Sequence, residues 1–199
     1  MCGRIIRVKQ FIKSEEDAVE FLKNAKFVLR YDSTPGLPLD SMYGAAEDQR
    51  RAIELTNALL ERKEVVETNV IANRLVLVHR DIVPALYSLR VRFRNETLSD
   101  DALRAFRLIK KNGTLSAGDV RRSLGVSGLK RPDAADLALA ELQKEMLIDR
   151  GPSSVPQKGI PYLSKEGYPY RIFEDAHEDI VKAAQKLAVA TRLKIAKRR

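Results

Sequence analysis

The sequence contains few of the residues that hold metals or form covalent cross-links. Its 199 residues include one cysteine, Cys2, two histidines, His79 and His177, and no tryptophan. A single cysteine cannot form an internal disulfide, which favours the reducing cytoplasm as the location. Zinc sites need several Cys or His residues at short spacing, so no metal site is expected. No cofactor is expected, because neither common glycine-rich phosphate-binding loop is present.

Long apolar runs and catalytic groupings are also missing. No stretch approaches the roughly 18 apolar residues of a membrane span, so no membrane partner is expected. No paired carboxylates mark a catalytic centre, and catalytic residues therefore stay unknown. The chain begins Met1-Cys2-Gly3-Arg4. This start resembles that of proteins that expose an N-terminal cysteine nucleophile after removal of the methionine, such as abasic-site crosslinking proteins. No other residue supports that interpretation.

Positive charge is what the sequence has in excess. It carries 36 Lys and Arg against 27 Asp and Glu, which gives a formal net charge of +9. Such a balance favours a nucleic-acid partner, because each cation near a phosphate releases condensed counterions. The alternative is a general bias towards charge for solubility. The 44% apolar content is ordinary for a chain with a buried core.

Residues 98–175 have the pattern of a winged helix-turn-helix: a helix, a short strand, two more helices and a hairpin. Ser99 and Ser116 are predicted to cap the first two helices, and Asp119 completes a capping box with Ser116. The third helix is predicted to begin at Pro132. The predicted fold class is therefore α+β, with a winged helix-turn-helix domain over residues 98–175.

Residues 1–97 are predicted to form a separate N-terminal α+β region. Its predicted elements are a helix after Ser14, a strand over residues 26–31, a helix over residues 47–62, a hairpin over residues 64–79 that turns at Asn73, and a helix over residues 82–89 capped by Asp81. A helix followed by a hairpin is also half of a winged helix. The region is therefore interpreted as a degenerate winged helix.

The connector between these regions is rich in arginine. Arg90, Arg92 and Arg94 alternate with apolar residues, and residues 91–97 are predicted to be extended. An extended chain would place the three guanidinium groups on one face, which could follow a phosphate backbone. The alternative interpretation is a solvated linker.

Residues 176–199 are predicted to form a basic amphipathic helix. Ile180, Ala184 and Leu187 share one face, and residues 182–199 contain seven basic residues and no acidic one. The basic side chains favour phosphate contact, whereas the apolar face favours a homodimer. The two roles are compatible.

The third predicted helix carries acids where a reading helix would meet DNA. We expect Asp133, Asp136, Glu141 and Glu145 to be exposed there, where they would repel phosphates. This argues for contact with the backbone rather than with base edges. The candidate DNA-binding residues are Arg90, Arg92, Arg94, Arg121, Arg122, Lys130, Arg131, Lys144, Arg150, Lys158, Lys165, Arg171, Lys194, Lys197, Arg198 and Arg199.

Three stretches together resemble a known family: SEEDAVEFLKNAKFVLRY (14–31), RLVLVHRDIVPALYSLR (74–90) and LALAELQKEMLIDRG (137–151). They resemble the winged-helix DNA glycosylase superfamily of AlkZ/YcaQ-like proteins, which excise alkylated purines and unhook interstrand crosslinks. The resemblance implies tandem winged helices around a DNA channel. It also implies a Gln-x-Gln or Gln-x-Asp pair that positions a water at the sugar carbon.

That catalytic pair is absent. The nearest chemical match is Gln143-Lys144-Glu145, which lies in the third predicted helix. The resemblance therefore carries over the fold and the DNA partner but not the glycosylase activity. We expect a cytoplasmic, nucleoid-associated protein that binds double-stranded DNA in repair. The open alternatives are a dimeric winged-helix transcriptional regulator, an active DNA glycosylase or lyase, and a winged-helix protein-interaction module.

Overall fold

The structure is a computed structural model that describes residues 11–33, 35–94, 97–127, 132–152 and 168–196, with side chains described as far as residue 188. Within these residues the chain forms nine α-helices and six β-strands. The predicted α+β class is therefore confirmed.

The N-terminal half, residues 11–94, and the C-terminal half, residues 97–196, each begin with a helix and a short strand. The N-terminal half contains α1 (Glu15–Ala25), β1 (Phe27–Leu29), α2 (Met42–Ala45), α3 (Gln49–Glu61), β2 (Val65–Ile71), β3 (Arg74–His79) and α4 (Val83–Arg92). The C-terminal half contains α5 (Asp100–Asn112), β4 (Thr114–Ser116), α6 (Ala117–Leu124), α7 (Ala134–Lys144), β5 (Ile148–Arg150), β6 (Pro169–Ile172), α8 (Phe173–Ala176) and α9 (Glu178–Ala196).

The two halves repeat one topology. Each runs helix, strand, helix, helix, strand, strand, and each closes an antiparallel three-stranded sheet. The strand orders are β1–β3–β2 and β4–β6–β5, so the first strand pairs with the last in both sheets. Leu115 of β4 lies opposite Tyr170 of β6, and Val28 of β1 lies opposite Leu77 of β3.

Short-range signals in the sequence explain most element boundaries. The side chains of Ser14, Ser99 and Ser116 cap α1, α5 and α6, as predicted. The hairpin of β2 and β3 turns through Ala72 and Asn73, whose φ angles are 49° and 54°. Two consecutive residues with positive φ give the tight turn that matches the twist of paired strands.

The predicted extended connector is wrong. Helix α4 continues to Arg92, so Arg90 and Arg92 are helical and the alternating face does not form. The helix continues because Val83 and Tyr87 are buried on one face, and Arg90 extends that face by the helical spacing of three and four residues. Asp81 does not cap α4, since it lies in a 3-10 turn before the helix.

The third helix of the C-terminal half also begins later than predicted. Asp133 caps α7 through a capping box with Asp136, and Pro132 precedes the cap. The helix ends at Lys144 and the chain turns at Met146, which has a φ of 51° and is buried. The turn directs β5 back towards the N-terminal half.

A shared core holds the halves together. Each half has its own apolar cluster, and a third cluster contains buried residues of both. The N-terminal half contributes Val66 and Tyr87 to it, and the C-terminal half contributes Met146, Phe173 and Ile180. The rings of Tyr87 and Phe173 stack with their centroids 5.0 Å apart. Strand β2 therefore belongs to one sheet and contacts the other half as well.

Candidate nucleic-acid interface

The predicted DNA-binding cations fall into three groups. Those outside the described residues are Lys130, Arg131, Lys158, Lys165, Lys197, Arg198 and Arg199. Cys2, the other residue considered for chemistry, also lies outside them. Lys194 lies in α9, beyond the last described side chain. The remaining predicted cations are described, and their burial separates structural ion pairs from exposed charges.

Two of the predicted cations with described side chains are buried. Arg121 is 5% exposed and donates to Asp133 at 2.6 Å and to Asp136 at 2.9 Å, which ties α6 to the start of α7. The Asp133 side chain is only 6% exposed, so the expectation that it faces solvent is wrong. Arg150 is 3% exposed and forms an ion pair with Glu67. In this conformation both guanidinium groups hold elements of the fold together, and their contact with DNA stays a prediction.

Arg90 and Arg94 bind the end of α7. The Arg90 side chain donates to Oε1 of Glu145 at 2.7 Å and to the Lys144 carbonyl at 2.8 Å. Arg94 donates to the Glu145 carbonyl at 3.2 Å. Glu145 is only 1% exposed, so the expectation that this acid faces solvent is wrong. It is buried because α7 has ended and the chain turns into the shared core.

Among the predicted cations whose side chains the structure describes, Arg92 and Arg122 are the exposed ones. Arg92 lies over the Phe93 ring at 5.4 Å, and Phe93 itself is 65% exposed. The side chain of Arg122 is 75% exposed and lies 2.5 Å from Asp119 on the same helix. An exposed arginine loses little hydration in reaching a phosphate, so these two positions suit backbone contact.

Helix α5 carries a basic face that the sequence interpretation missed. Arg104, Arg107 and Lys111 are exposed and spaced three and four residues apart, so they share one side of the helix. Lys110 is exposed beside them, and Arg104 also lies 3.6 Å from Asp101. The helical spacing of these cations in the run RAFRLIKK is a signal that could have identified them.

A buried carboxylate joins the two halves. Glu67 of β2 accepts from Arg30 and pairs with Arg150 of β5, and all three residues are at most 3% exposed. Burial by itself raises the pKa of Glu67, but Arg150 and Arg30 outweigh it, and the pKa lies below its ordinary value. Glu67 is therefore ionised at neutral pH. Tyr168 accepts from Arg30 at 2.5 Å, and the Arg150 guanidinium lies 4.3 Å from its ring.

Strand β2 also covers the end of α7. The Thr68 hydroxyl donates to the Gln143 carbonyl at 3.0 Å, and the Asn69 amide donates to Oε1 of Gln143 at 3.4 Å. Gln143 is 2% exposed. The Gln143-Lys144-Glu145 segment, which most nearly matches the glycosylase signature, is therefore engaged by β2 and by Arg90. This end of α7 cannot enter a DNA groove while β2 lies against it.

A second buried carboxylate stabilises the C-terminal half. Asp149 is 2% exposed, accepts from Arg171 at 2.8 Å and lies 3.0 Å from Nε2 of His177. Burial raises the pKa of Asp149, but His177 and Arg171 outweigh burial and lower it overall. Arg171, another predicted DNA contact, is thus held at the sheet. Tyr168 and Tyr170 are also buried there, so neither ring is exposed to stack on a base.

The C-terminal helix packs on its own chain. Ile180 and Ala184 of α9 are buried in the shared core beside Val83 and Tyr87 of α4. The start of the predicted dimer face is thus covered within the chain, and a homodimer stays a prediction. Within the described residues, no helix is long and apolar enough to cross a membrane. The described residues also contain no group of three or more His, Cys, Asp or Glu side chains that could hold a metal ion.

Comparison with known proteins gives one match. The model of a family described as AlkZ related matches residues 12–162, which is more than half of the chain. Searches of curated proteins and of solved structures found no match. The matched range covers α1 to α4 of the N-terminal half and α5 to β5 of the C-terminal half, and it ends before β6. The chain belongs to the AlkZ-related family.

Proposed function

We propose that this protein binds double-stranded DNA through two tandem winged helices, with residues 1–97 and 98–175 as the two domains and residues 176–199 as a basic C-terminal helix. Membership of the AlkZ-related family carries the proposal. The repeated order of helices and strands supports it, because a winged helix consists of three helices and a sheet in which the first strand pairs with the last.

We propose that contact is made with the DNA backbone rather than with base edges. The C-terminal part of α7, the helix that would read a groove, is covered by β2. Exposed cations lie elsewhere in the described residues, among them the α5 face of Arg104, Arg107 and Lys111, together with Arg92 and Arg122. Contacts of this kind fix a protein on a duplex without reading its sequence.

The proposed role is in DNA repair, without a glycosylase reaction at Gln143 and Glu145. Two side chains that position the attacking water must face the DNA channel, and their acceptor oxygens must be free to bind that water. Gln143 instead accepts from Asn69, and Glu145 is ion-paired with Arg90. Both residues are thus used to hold the two halves together.

Binding is tested with the full chain and a fluorescent 20-base-pair duplex at low salt. Non-specific affinity is strongest there, and we expect a dissociation constant below about 10 µM. No binding at that concentration would remove the proposal. The competing activity is tested on alkylated and abasic duplexes with an incision assay. We expect no strand cleavage after alkali treatment of the alkylated duplex. Release of the alkylated base would overturn the proposal that the protein has no glycosylase activity.

A further inference from the structure

A groove of about 230 Å³ lies between the C-terminal end of helix α4 and the sheet of the N-terminal half. We call it the α4 groove. Strands β1 and β2 line one side of it, and α4 with the residue after it lines the other. The lining residues are Phe27, Val70, Ile71, Leu86, Leu89, Arg90 and Phe93. Small-molecule sites usually measure about 300–1,000 Å³, so this smaller groove suits a few side chains of a larger partner.

Two large apolar side chains of the α4 groove are exposed. Leu89 is 56% exposed and Phe93 is 65% exposed. Together with Leu86 they are spaced three and four residues apart, so the three side chains form one stripe along the helix. A different stripe, which contains Val83 and Tyr87, already packs into the shared core. A helix that buries one apolar stripe and exposes a second has a surface available for a partner.

Positive charge borders the α4 groove. Arg74 is exposed and lies directly opposite Ile71 in the pairing of β2 with β3. Residues that are directly opposite place their side chains on the same face of a sheet. On the helix side, the Arg92 guanidinium lies 5.4 Å from the centre of the Phe93 ring. No carboxylate is among the described residues that line the groove. The apolar lining is therefore bordered by cations on both sides.

The charge pattern argues against this chain as the occupant of the groove. Its longer segments whose side chains lie outside the described residues, 1–10, 128–131, 153–167 and 189–199, each have a net positive formal charge. They would bring like charges to Arg74 and Arg92. A second copy that met the same face would do so as well, on a chain whose net charge is +9. An acidic partner is instead complementary.

We propose that the α4 groove binds a short amphipathic helix of an acidic protein partner. Apolar side chains of that helix insert between α4 and strands β1 and β2, against Phe27, Leu89 and Phe93. Carboxylates that flank them pair with Arg74 and Arg92. Helices that bind in grooves present apolar anchors three, four and seven residues apart. The inference does not depend on DNA binding by the α5 face.

The first test uses the full chain and a fluorescent twelve-residue peptide that repeats Glu-Glu-Leu-Leu three times. Anisotropy at about 150 mM salt, where distant charges are screened, is expected to give a dissociation constant below about 100 µM. One control peptide has alanine in place of leucine, and the other has lysine in place of glutamate. Each is expected to bind at least about tenfold more weakly. Equal binding of either control, or no binding of the first peptide, overturns the proposal.

The second test removes the exposed apolar side chains of the groove. Leu89→Ala combined with Phe93→Ala is expected to weaken binding of the Glu-Leu peptide at least about tenfold. Val91→Ala combined with Leu137→Ala is the matched control, because it truncates side chains that are 47% and 60% exposed outside the groove. Circular dichroism checks the fold of both variants. An equal loss of affinity in the control, or unchanged affinity in the groove variant, overturns the assignment.

The third test reverses the bordering charges. Arg74→Glu combined with Arg92→Glu is expected to weaken binding of the Glu-Leu peptide at least about tenfold. Lys13→Glu combined with Lys23→Glu changes the net charge equally at exposed positions of the same half. Equal weakening in the two variants would mean that net charge alone attracts the peptide, and the proposed pairing would be wrong.

A 20-base-pair duplex separates peptide binding from DNA binding. The Leu89→Ala and Phe93→Ala variant is expected to bind the duplex within about twofold of the parent protein, because phosphate contacts need no apolar anchors. If it loses duplex affinity and peptide affinity alike, the groove belongs to the DNA surface and the proposal is overturned. Peptide binding by a protein that binds no duplex would support this inference and remove the proposed DNA contact.

Discussion

Glu67 and Arg150 form a buried ion pair between strand β2 of one half and strand β5 of the other. Arg30 binds the second oxygen of the same carboxylate, so one negative charge lies between two positive charges. A buried group of this kind adds little net stability when complete, but removal of one member leaves uncompensated charge. We therefore expect the pair to favour the observed arrangement of the two halves over others.

Replacement Glu67→Gln is expected to lower the free energy of unfolding by about 3–5 kcal/mol, since it leaves Arg30 and Arg150 buried without a counter-charge. Urea denaturation followed by circular dichroism measures the change. Glu54→Gln is the matched control, because Glu54 pairs with Arg50 and Arg51 at the surface and such pairs contribute little. Equal stability losses in the two variants would contradict the role of Glu67.

Stability is expected to fall in acid. The pKa values of Glu67 and Asp149 in the folded state lie below their ordinary values of 4.5 and 3.8. A carboxylate with a depressed pKa contributes stability that is fully present above its unfolded pKa and is lost as pH falls through the folded pKa. The contribution of these two carboxylates to the free energy of unfolding should thus be nearly constant from about pH 7 to 5. It should decrease below about pH 4.5.

The same denaturation series at several pH values separates the two carboxylates. The free energy of unfolding of Glu67→Gln should decrease less steeply below pH 4.5 than that of the parent protein, because of the two carboxylates only Asp149 still titrates. An unchanged acid slope in that variant would mean that Glu67 is not ionised in the fold.

Thr68→Val tests the contact between β2 and α7. The substitution keeps the shape of the side chain but removes the donor to the Gln143 carbonyl. We expect a loss of about 0.5–1.5 kcal/mol, which is the net contribution of one hydrogen bond, because the Gln143 carbonyl still accepts from the Met146 N–H at 3.1 Å. Thr97→Val, at an exposed position, serves as the control and should leave the urea midpoint unchanged. A neutral Thr68→Val result would contradict the contact.

Charge reversal on the basic face of α5 tests the proposed DNA surface. The triple variant Arg104→Glu, Arg107→Glu and Lys111→Glu is expected to weaken duplex binding by more than about tenfold, measured by fluorescence anisotropy. Each lost phosphate contact should also reduce the salt slope by about one unit.

The control must change the net charge equally. Lys13→Glu, Lys23→Glu and Lys63→Glu reverse three exposed lysines of the N-terminal half. If the control weakens binding as much as the α5 variant does, the effect comes from net charge and the α5 face is not the contact surface.

Much of the backbone could be predicted because its signals are local. Ser14, Ser99 and Ser116 each precede a helix with acids in its first turn, and Asn73 marks the hairpin turn. Signals of this kind depend only on residues a few positions apart. The family resemblance likewise rested on contiguous stretches and is confirmed.

The junction could not be predicted, because it depends on residues far apart in sequence. Arg90 appeared to belong to an exposed connector, yet it lies 2.7 Å from Glu145, 55 residues away. Glu67 in strand β2 carries no local sign that Arg30 and Arg150 will meet it. Cations buried in such pairs look the same in sequence as cations that face solvent, which is why the predicted DNA-contact set mixed the two.

The salt dependence of duplex binding tests the central claim most directly. Association constants for two unrelated 20-base-pair duplexes are measured between 50 and 200 mM salt. Contact with several phosphates predicts a linear fall of log affinity with log salt, with a slope steeper than about −3, and constants within about threefold of each other for the two sequences. Absence of binding, or a slope near zero, would contradict a protein that holds the DNA backbone.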